Sequence, residues 1–240
     1  MKRIYAPTTG PKDWKRLLAR PDRHWKAMFS AMSVAQSWEA ADDALPREIA
    51  DLLNTSDDSD LHGAELLLAI PEYQVELPGG SRSTQTDVFA LVRTRASLAA
   101  LAVEGKVDET FGPTVAAKRS EGAGARLSFL HELLGLDATA TANLRYQLLH
   151  RTAAAVILAQ RFRADSALLV VQSFSPEDRW IEEFERFSSA LGVQARKGFI
   201  VLTGEVGTGK TTMLECLRDW LTQQSVEFAY LFNSRVNSDQ

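Results

Sequence analysis

The sequence predicts an α/β (α+β) protein: a mixed sheet flanked by helices, followed by a partial strand–helix–strand unit. Three observations support this class. Apolar side chains recur at helical spacing over residues 11–54. Four apolar runs of strand length lie within residues 66–174. A glycine-rich motif near the C-terminal end follows an apolar run and precedes a helical pattern.

Composition limits the class of protein. The chain has 240 residues, 45% hydrophobic and 24% charged, as in globular proteins that bury a core. A formal net charge of −4 provides no general attraction to nucleic acid or to membranes. The single cysteine, Cys216, excludes an internal disulfide. Neither a secretory signal nor an apolar run of roughly 18 residues is visible, so we expect a cytoplasmic protein without a membrane span.

Residues 1–60 are predicted to form an N-terminal helical segment. Pro11 and Pro46 stand where helices begin, because proline suits the first helical turn. Trp14 and Trp25 belong to an apolar stripe at helical spacing, which predicts packing on a core rather than a cofactor site.

The next part of the chain changes to the pattern of strands. Residues 66–77, 87–94 and 98–107 are predicted strands, and the last two are apolar enough to be covered on both faces. A short polar gap at residues 95–97 joins them, which predicts an antiparallel hairpin.

Helices and a fourth strand complete this region. Helices are predicted at residues 127–134, 141–163 and 176–191, and a buried strand at 167–174. We therefore expect a core domain over residues 61–191.

Charged residues interrupt the buried strands. Glu104 and Lys106 are two apart on one strand, so their side chains project from the same face. If Asp87 opens the neighbouring antiparallel strand, its carboxylate lies beside Glu104. The alternative is an edge strand whose charges are solvated and pair only weakly.

Two adjacent carboxylates suit Mg²⁺, and the carbonyl of Gly105 is a candidate third ligand. A metal ion there would lower the pKa of a bound water and neutralise charge on a phosphate. Lys106 would hold the attacking water or stabilise the developing negative charge.

The order of elements and the Asp…Glu-x-Lys pattern together resemble the PD-(D/E)XK restriction-endonuclease-like superfamily, over about residues 60–175. The resemblance implies that Asp87 and Glu104 bind the metal and that Lys106 is catalytic. It adds Glu65, just before the first strand, as a further acidic ligand. The proline of the superfamily's name is absent before Asp87.

The long predicted helix adds candidates to this site. Gln147 and Arg151 are four residues apart and share a helix face, with Tyr146 nearby. Some branches of the superfamily place a Gln or Tyr there, facing the metal. His24, His62, His131 and His150 have no zinc-ligand spacing and are interpreted as core or surface residues.

Residues 204–211 match G-x-x-x-x-G-K-[ST] in full, between an apolar strand and a helix. Backbone N–H groups of such a loop converge on phosphate oxygens. Lys210 would reach the β- and γ-phosphates of ATP, and Thr211 would bind Mg²⁺. The predicted cofactor-binding residues are Gly204, Glu205, Val206, Gly207, Thr208, Gly209, Lys210, Thr211 and Thr212.

Residues 192–240 resemble the N-terminal part of an AAA-type P-loop ATPase of general-secretion and transposition-helper systems. No later apolar strand ends in the acid that such ATPases use to hold Mg²⁺. We therefore expect ATP binding without autonomous hydrolysis. The two tail strands would expose apolar edges unless covered, which predicts docking on a protein partner, self-association or disorder.

The sequence leaves two competing functions and a third that applies if neither site is active. The first is a Mg²⁺-dependent nuclease-like hydrolase acting on nucleic acid, or its inactive descendant. The alternative is an ATP-binding AAA-type module whose first 190 or so residues are a partner-binding adaptor. The third is an interaction protein in which both sites are inactive. The basic, aromatic-rich residues 12–23 would either contact nucleic acid or form a solvated helix face.

Overall fold

A mixed sheet with helices on both faces organises the chain, which confirms the predicted class. The structure is a computed structural model. It describes residues 1–26, 29–56, 58–95, 97–118, 123–175, 180–191 and 230–232. The predicted phosphate loop, with Lys210 and Thr211, lies outside the described residues.

The sheet has strand order β1-β2-β3-β4-β5. Its strands are β1 (Glu65–Val75), β2 (Thr84–Arg93), β3 (Leu98–Lys106), β4 (Ser166–Ser173) and the short β5 (Tyr230–Phe232). The first three are antiparallel neighbours, so the predicted hairpin between β2 and β3 is confirmed. β4 is parallel to β3, and β5 is parallel to β4.

The described helices are α1 (Pro21–His24), α2 (Ser30–Ala41), α3 (Arg47–Asn54), α4 (Ala123–Leu134), α5 (Tyr146–Phe162) and α6 (Ile181–Ala190), with 3₁₀ helices at Pro11–Leu17 and Ser59–Leu61. The predicted N-terminal helical stretch is thus divided into short pieces. Proline stands at the start of two of them, where its missing N–H is not needed. α5 begins at Tyr146, five residues later than predicted, because the chain before it pairs with residues 113–115.

The N-terminal helices cover one face of the sheet. Trp14 and Trp38 are only 2% and 1% exposed and pack in one cluster with Val88 and Leu101 of the central strands. Trp25 packs against the same cluster, which confirms the predicted core role of the tryptophan stripe. Residues 1–60 therefore share a hydrophobic core with the sheet.

α5 covers the opposite face and makes the crossover that a parallel pair of strands requires. Ala100 and Ala102 of β3 meet Ala154 and Leu158 of α5 in one cluster, and these small side chains let the helix approach closely. By strand alternation, Glu104 and Lys106 lie on this same face of β3.

Gly105, between them, points to the opposite face, against α2. A Cβ at this position would lie 2.3 Å from Cγ2 of Val34 and 3.0 Å from Cβ of Ser30. We expect Gly105→Ala to lower the free energy of unfolding by about 1–3 kcal/mol through overpacking. Urea unfolding would measure this.

Gly124→Ala is the matched control, since Gly124 lies in α4 with no atom within 4 Å of an added Cβ. This change should stabilise the protein by up to about 1 kcal/mol. Equal effects of the two substitutions would contradict the close contact between β3 and α2.

Candidate functional site

A cavity of about 530 Å³ opens at the end of the sheet where β2 begins and β3 ends. Four ionisable side chains from the strands line it: Glu72 of β1, Asp87 of β2, and Glu104 and Lys106 of β3. The structure therefore brings the three strand residues selected from the sequence to one cavity. It also adds a carboxyl group that the sequence analysis did not select.

Glu104 is held by three donors. Its Oε1 accepts hydrogen bonds from Nζ of Lys106 at 2.8 Å and from Nε2 of Gln147 at 2.6 Å. Its Oε2 accepts one from Nε of Arg151 at 2.5 Å. Burial alone would raise the pKa of Glu104, but Arg151 and Lys106 more than offset it, so the pKa is lowered. Glu104 is therefore a buried, fully paired carboxylate.

Arg151 connects this carboxylate to β2. Its NH1 group donates to Oγ1 of Thr84 at 2.5 Å, while Nε holds Glu104. The predicted shared face of Gln147 and Arg151 is confirmed, because both side chains reach Glu104 from α5. One hydrogen-bond network thus fixes four side chains that line the cavity: Glu104, Lys106, Gln147 and Arg151. Thr84 connects this network to β2.

Asp87 lies beside this network. Its Oδ2 accepts the backbone N–H of Gly105 at 2.7 Å, which fixes the side chain across the end of the β2–β3 ladder. Burial and the negative charge of Glu104 raise its pKa to about 7. The charged form of Asp87 is therefore disfavoured, although Arg151 and Lys106 partly offset this effect.

Glu72 is the acid that the sequence analysis missed. Its neighbours Pro71 and Tyr73 pair with Val88 and Thr86 of β2, so Glu72 lies across from Asp87. Its Oε2 accepts a hydrogen bond from Nε2 of Gln85 at 2.7 Å. Burial and the charges of Asp87 and Glu104 raise its pKa to about 9. Its φ of 54° is unusual for a side chain other than glycine and costs on the order of 1–3 kcal/mol. Such strain is concentrated at functional sites.

Glu65 is not brought to the cavity. It is the first residue of β1 and pairs with Arg93 at the far end of β2. Arg93 is six positions further along β2 than Asp87, which is about 20 Å along a strand. The expectation that Glu65 joins Asp87 and Glu104 as a metal ligand is therefore corrected, and Glu72 is the β1 carboxyl group beside them.

The raised pKa values predict how the stability of the metal-free protein changes with pH. Folded Glu72 keeps its proton to a pH of about 9, whereas the unfolded chain loses it near the ordinary value of 4.5. The free energy of unfolding should therefore fall as pH rises to about 9, by about 1.4 kcal/mol per unit for each group protonated only in the folded state. Buried His150, with a lowered pKa, acts in the opposite direction only below 6.5.

The informative window is thus between pH 6.5 and 9, and urea unfolding in the presence of a chelator measures it. Glu72→Gln should flatten the curve, because it removes the group that titrates there. A free energy of unfolding that rises with pH across this window would contradict the buried pair of acids.

Basic and aromatic side chains line another part of the cavity wall. The cations at its rim are Arg20, Arg23 and Lys118, and both arginines are exposed. Nζ of Lys118 lies 4.9 Å from the ring centroid of Tyr146, at the start of α5. Part of the basic stretch at residues 12–23 thus borders the cavity. The acidic side chains lie on the sheet, at the floor of the cavity, and the cations lie at its rim.

Comparison with known proteins adds a family and one partial relative. A family described as "Domain of unknown function (DUF6946)" matches residues 7–219. The General secretion pathway protein A of Aeromonas hydrophila is 44% identical over 66 residues, which is 25% of this chain and 12% of that protein. This agrees with the general-secretion part of the resemblance. No solved structure matches. None of the helices among the described residues has the length and apolar character to span a membrane.

Proposed function

Because the chain belongs to the DUF6946 family, whose description names no activity, we propose from the cavity alone that it is a metal-dependent hydrolase of phosphodiester bonds in nucleic acid. The observation that carries this is the meeting of Asp87, Glu104 and Lys106, with Glu72, in one cavity. Carboxylates, a fixed ammonium group and a basic rim are the groups such a reaction needs.

The carboxyl groups of the cavity suit Mg²⁺ better than a metal ion that is held entirely by protein side chains. Within the described ranges, no group of three or more His, Cys, Asp or Glu side chains could hold a metal ion. Mg²⁺ is usually held by one or two carboxylates together with waters and substrate phosphates. Asp87 and Glu72 fit this role, since the pKa of each carboxyl group is raised despite the positive charge of Arg151, and a metal ion would favour their charged forms.

Glu104 has a different part in this arrangement from the one expected. Both of its oxygens are already held by cations and an amide, so it positions Lys106 and Arg151. When bound, the metal would supply an activated water and neutralise charge on the scissile phosphate. Among the described residues, Oε2 of Glu104 accepts only the bond from Arg151 and keeps a lone pair, through which Glu104 would reach a metal ion.

Lys106 acts as a donor. Its ammonium group gives two N–H bonds, to Oε1 of Glu104 and to Oε1 of Gln147, at 2.8 and 3.1 Å. An ammonium group has three donors, so one N–H remains for the substrate, and the ring centroid of Phe111 lies 5.0 Å from Nζ on the cavity wall. Lys106 can orient the attacking water or stabilise charge on a phosphate oxygen, but it cannot accept the proton of that water.

The test is incubation of the purified protein with Mg²⁺ or Mn²⁺ and labelled DNA or RNA. We expect cleavage that requires the metal and stops when a chelator is added. Cleavage that persists in Asp87→Ala and Glu104→Ala would contradict the proposal. Failure of either metal to cause cleavage or a thermal shift would favour an inactive descendant.

A second candidate function is ATP binding by residues 204–211. The complete phosphate-loop motif and the partial match to General secretion pathway protein A favour it. Mg²⁺ would accompany the nucleotide through Thr211. Calorimetry with ATP tests this: we expect binding that is lost in Lys210→Ala. An absence of heat with the unaltered chain would contradict it, and blank titrations with both metal and ATP would favour a plain interaction protein.

A further inference from the structure

His150 lies in the cavity wall and has no role in the reaction outlined above. Its Nδ1 is 2.7 Å from Oγ1 of Thr84 and 3.4 Å from NH1 of Arg151. Its ring packs on that of Tyr146, one helical turn earlier, with centroids 5.0 Å apart. We infer that His150 is a fixed, neutral donor that presents Nε2–H to a phosphate oxygen of the substrate. This inference rests on the proposed function.

The hydrogen bonds determine which ring nitrogen carries the proton. An arginine only donates, so NH1 of Arg151 gives its proton to Oγ1 of Thr84. Oγ1 of Thr84 has one proton and a second lone pair, so its contact with Nδ1 of His150 allows either direction. The longer contact from Arg151 to the same Nδ1 settles the role, because an arginine can only donate and Nδ1 must then accept. The proton of the neutral ring is therefore on Nε2.

The position of this donor follows from the same contacts. Within the described residues, the recorded hydrogen bonds of His150 are made through Nδ1, on the side of Thr84 and Arg151. Nε2 is on the other side of the ring, and His150 lines the cavity. Nε2–H thus adds a neutral donor to a wall that already contains Lys106 and Gln147.

The surroundings keep the ring neutral. Burial and the nearby cations Arg151 and Lys118 lower the pKa of His150 well below its ordinary 6.5. Of the charged groups around it, the carboxylate of Glu104 is already paired with Arg151. A neutral imidazole can therefore bind a phosphate oxygen at physiological pH without adding charge to the site.

Nitrogen-15 NMR of the imidazole groups tests the tautomer without any assay of activity. At neutral pH we expect the spectrum of His150 to show a proton on Nε2 and none on Nδ1. Thr84→Val removes the hydroxyl group that fixes the ring, so both tautomers should become populated. A proton on Nδ1, or a doubly protonated ring, in the unaltered protein would overturn the inference.

Binding of a thymidine dinucleotide in metal-free buffer tests the contact with substrate. His150→Phe keeps an aromatic ring against Tyr146 and removes the donor, so the Kd should rise about 10- to 100-fold. His150→Gln should restore part of the affinity, because the amide can donate. An unchanged Kd in His150→Phe would overturn the inference.

His131→Phe is the matched control. His131 also bonds a threonine, with Nε2 2.9 Å from Oγ1 of Thr141, but it does not line the cavity. It should leave the Kd unchanged. If His150→Phe does not fold, a several-fold rise in Kd in Thr84→Val supports the inference and an unchanged Kd opposes it.

The two proposals fail in different ways. If the protein binds the dinucleotide through His150 and yet cleaves no nucleic acid under any of the metal conditions, the hydrolase proposal is removed and the contact with His150 remains. Metal-dependent cleavage with an unchanged KM in His150→Phe would leave the hydrolase and remove the contact.

Discussion

Asp87→Asn is expected to abolish metal-dependent cleavage while making the metal-free protein more stable. The amide keeps the shape of the side chain and can still accept the N–H of Gly105, but it loses the charge that would bind Mg²⁺. Mutation of a residue that only hydrogen-bonds to a metal ligand lowers activity by up to about a hundredfold. Asp87 is proposed as a ligand itself, so activity should fall by more than this. The melting temperature above neutral pH should rise, because the repulsion of Glu72 and Glu104 is removed.

Asp165→Asn is the matched control for this substitution. Oδ2 of Asp165 accepts the N–H of Leu98 at 2.9 Å, so it caps the same strand, β3, at its other end. It should change neither cleavage nor the thermal shift that Mg²⁺ produces. Equal loss of activity in both variants would mean that a cap of β3, and not a metal ligand, had been removed.

Arg151→Met is expected to be the most destabilising single change at the cavity. It removes the guanidinium group that holds Oε2 of Glu104 and Oγ1 of Thr84, in a site where the Glu104 side chain is 4% exposed. Removing one partner of a buried ion pair costs about 3–5 kcal/mol, and because Glu104 keeps Lys106 we expect a loss at the lower end of this range. Urea unfolding at neutral pH would measure the loss.

Two further variants show whether the lost stability comes from the charge or from packing. Arg47→Met breaks an exposed pair with Asp51, whose side chains are 90% and 65% exposed, and should cost less than about 0.5 kcal/mol. Combining Arg151→Met with Glu104→Gln should recover part of the stability, because the amide does not need the second cation that Arg151 supplies to the carboxylate. If the double variant is less stable than Arg151→Met alone, the cost arises from lost packing and not from the charge.

Much of the fold could be predicted because its signals are local. The strands are apolar runs, the hairpin has a short polar gap, and the prolines mark where short helices begin. Glu104 and Lys106 were found because charges within a buried run require partners. The same argument selects Glu72, which interrupts the apolar run of β1, whereas Glu65 follows only from the resemblance to the superfamily.

Antiparallel pairing explains why Glu65 was wrong. The start of β1 lies beside the end of β2, whereas Asp87 is near the start of β2. The sequence could have excluded Glu65 by this rule. It could not reveal the bond between Thr84 and His150, which are 66 positions apart, because no local pattern records a contact that only the docking of α5 creates.

The floor and the rim of the cavity belong to different kinds of structure. Glu104 and Lys106 are in the central strand β3, and Asp87 is in its neighbour β2. Arg20 and Arg23 lie in or beside the four-residue α1. Substitutions in or beside α1 can therefore change the charge of the rim while the strand residues stay in register. Under the proposed reaction, such changes would alter which substrate binds and leave the chemistry unchanged.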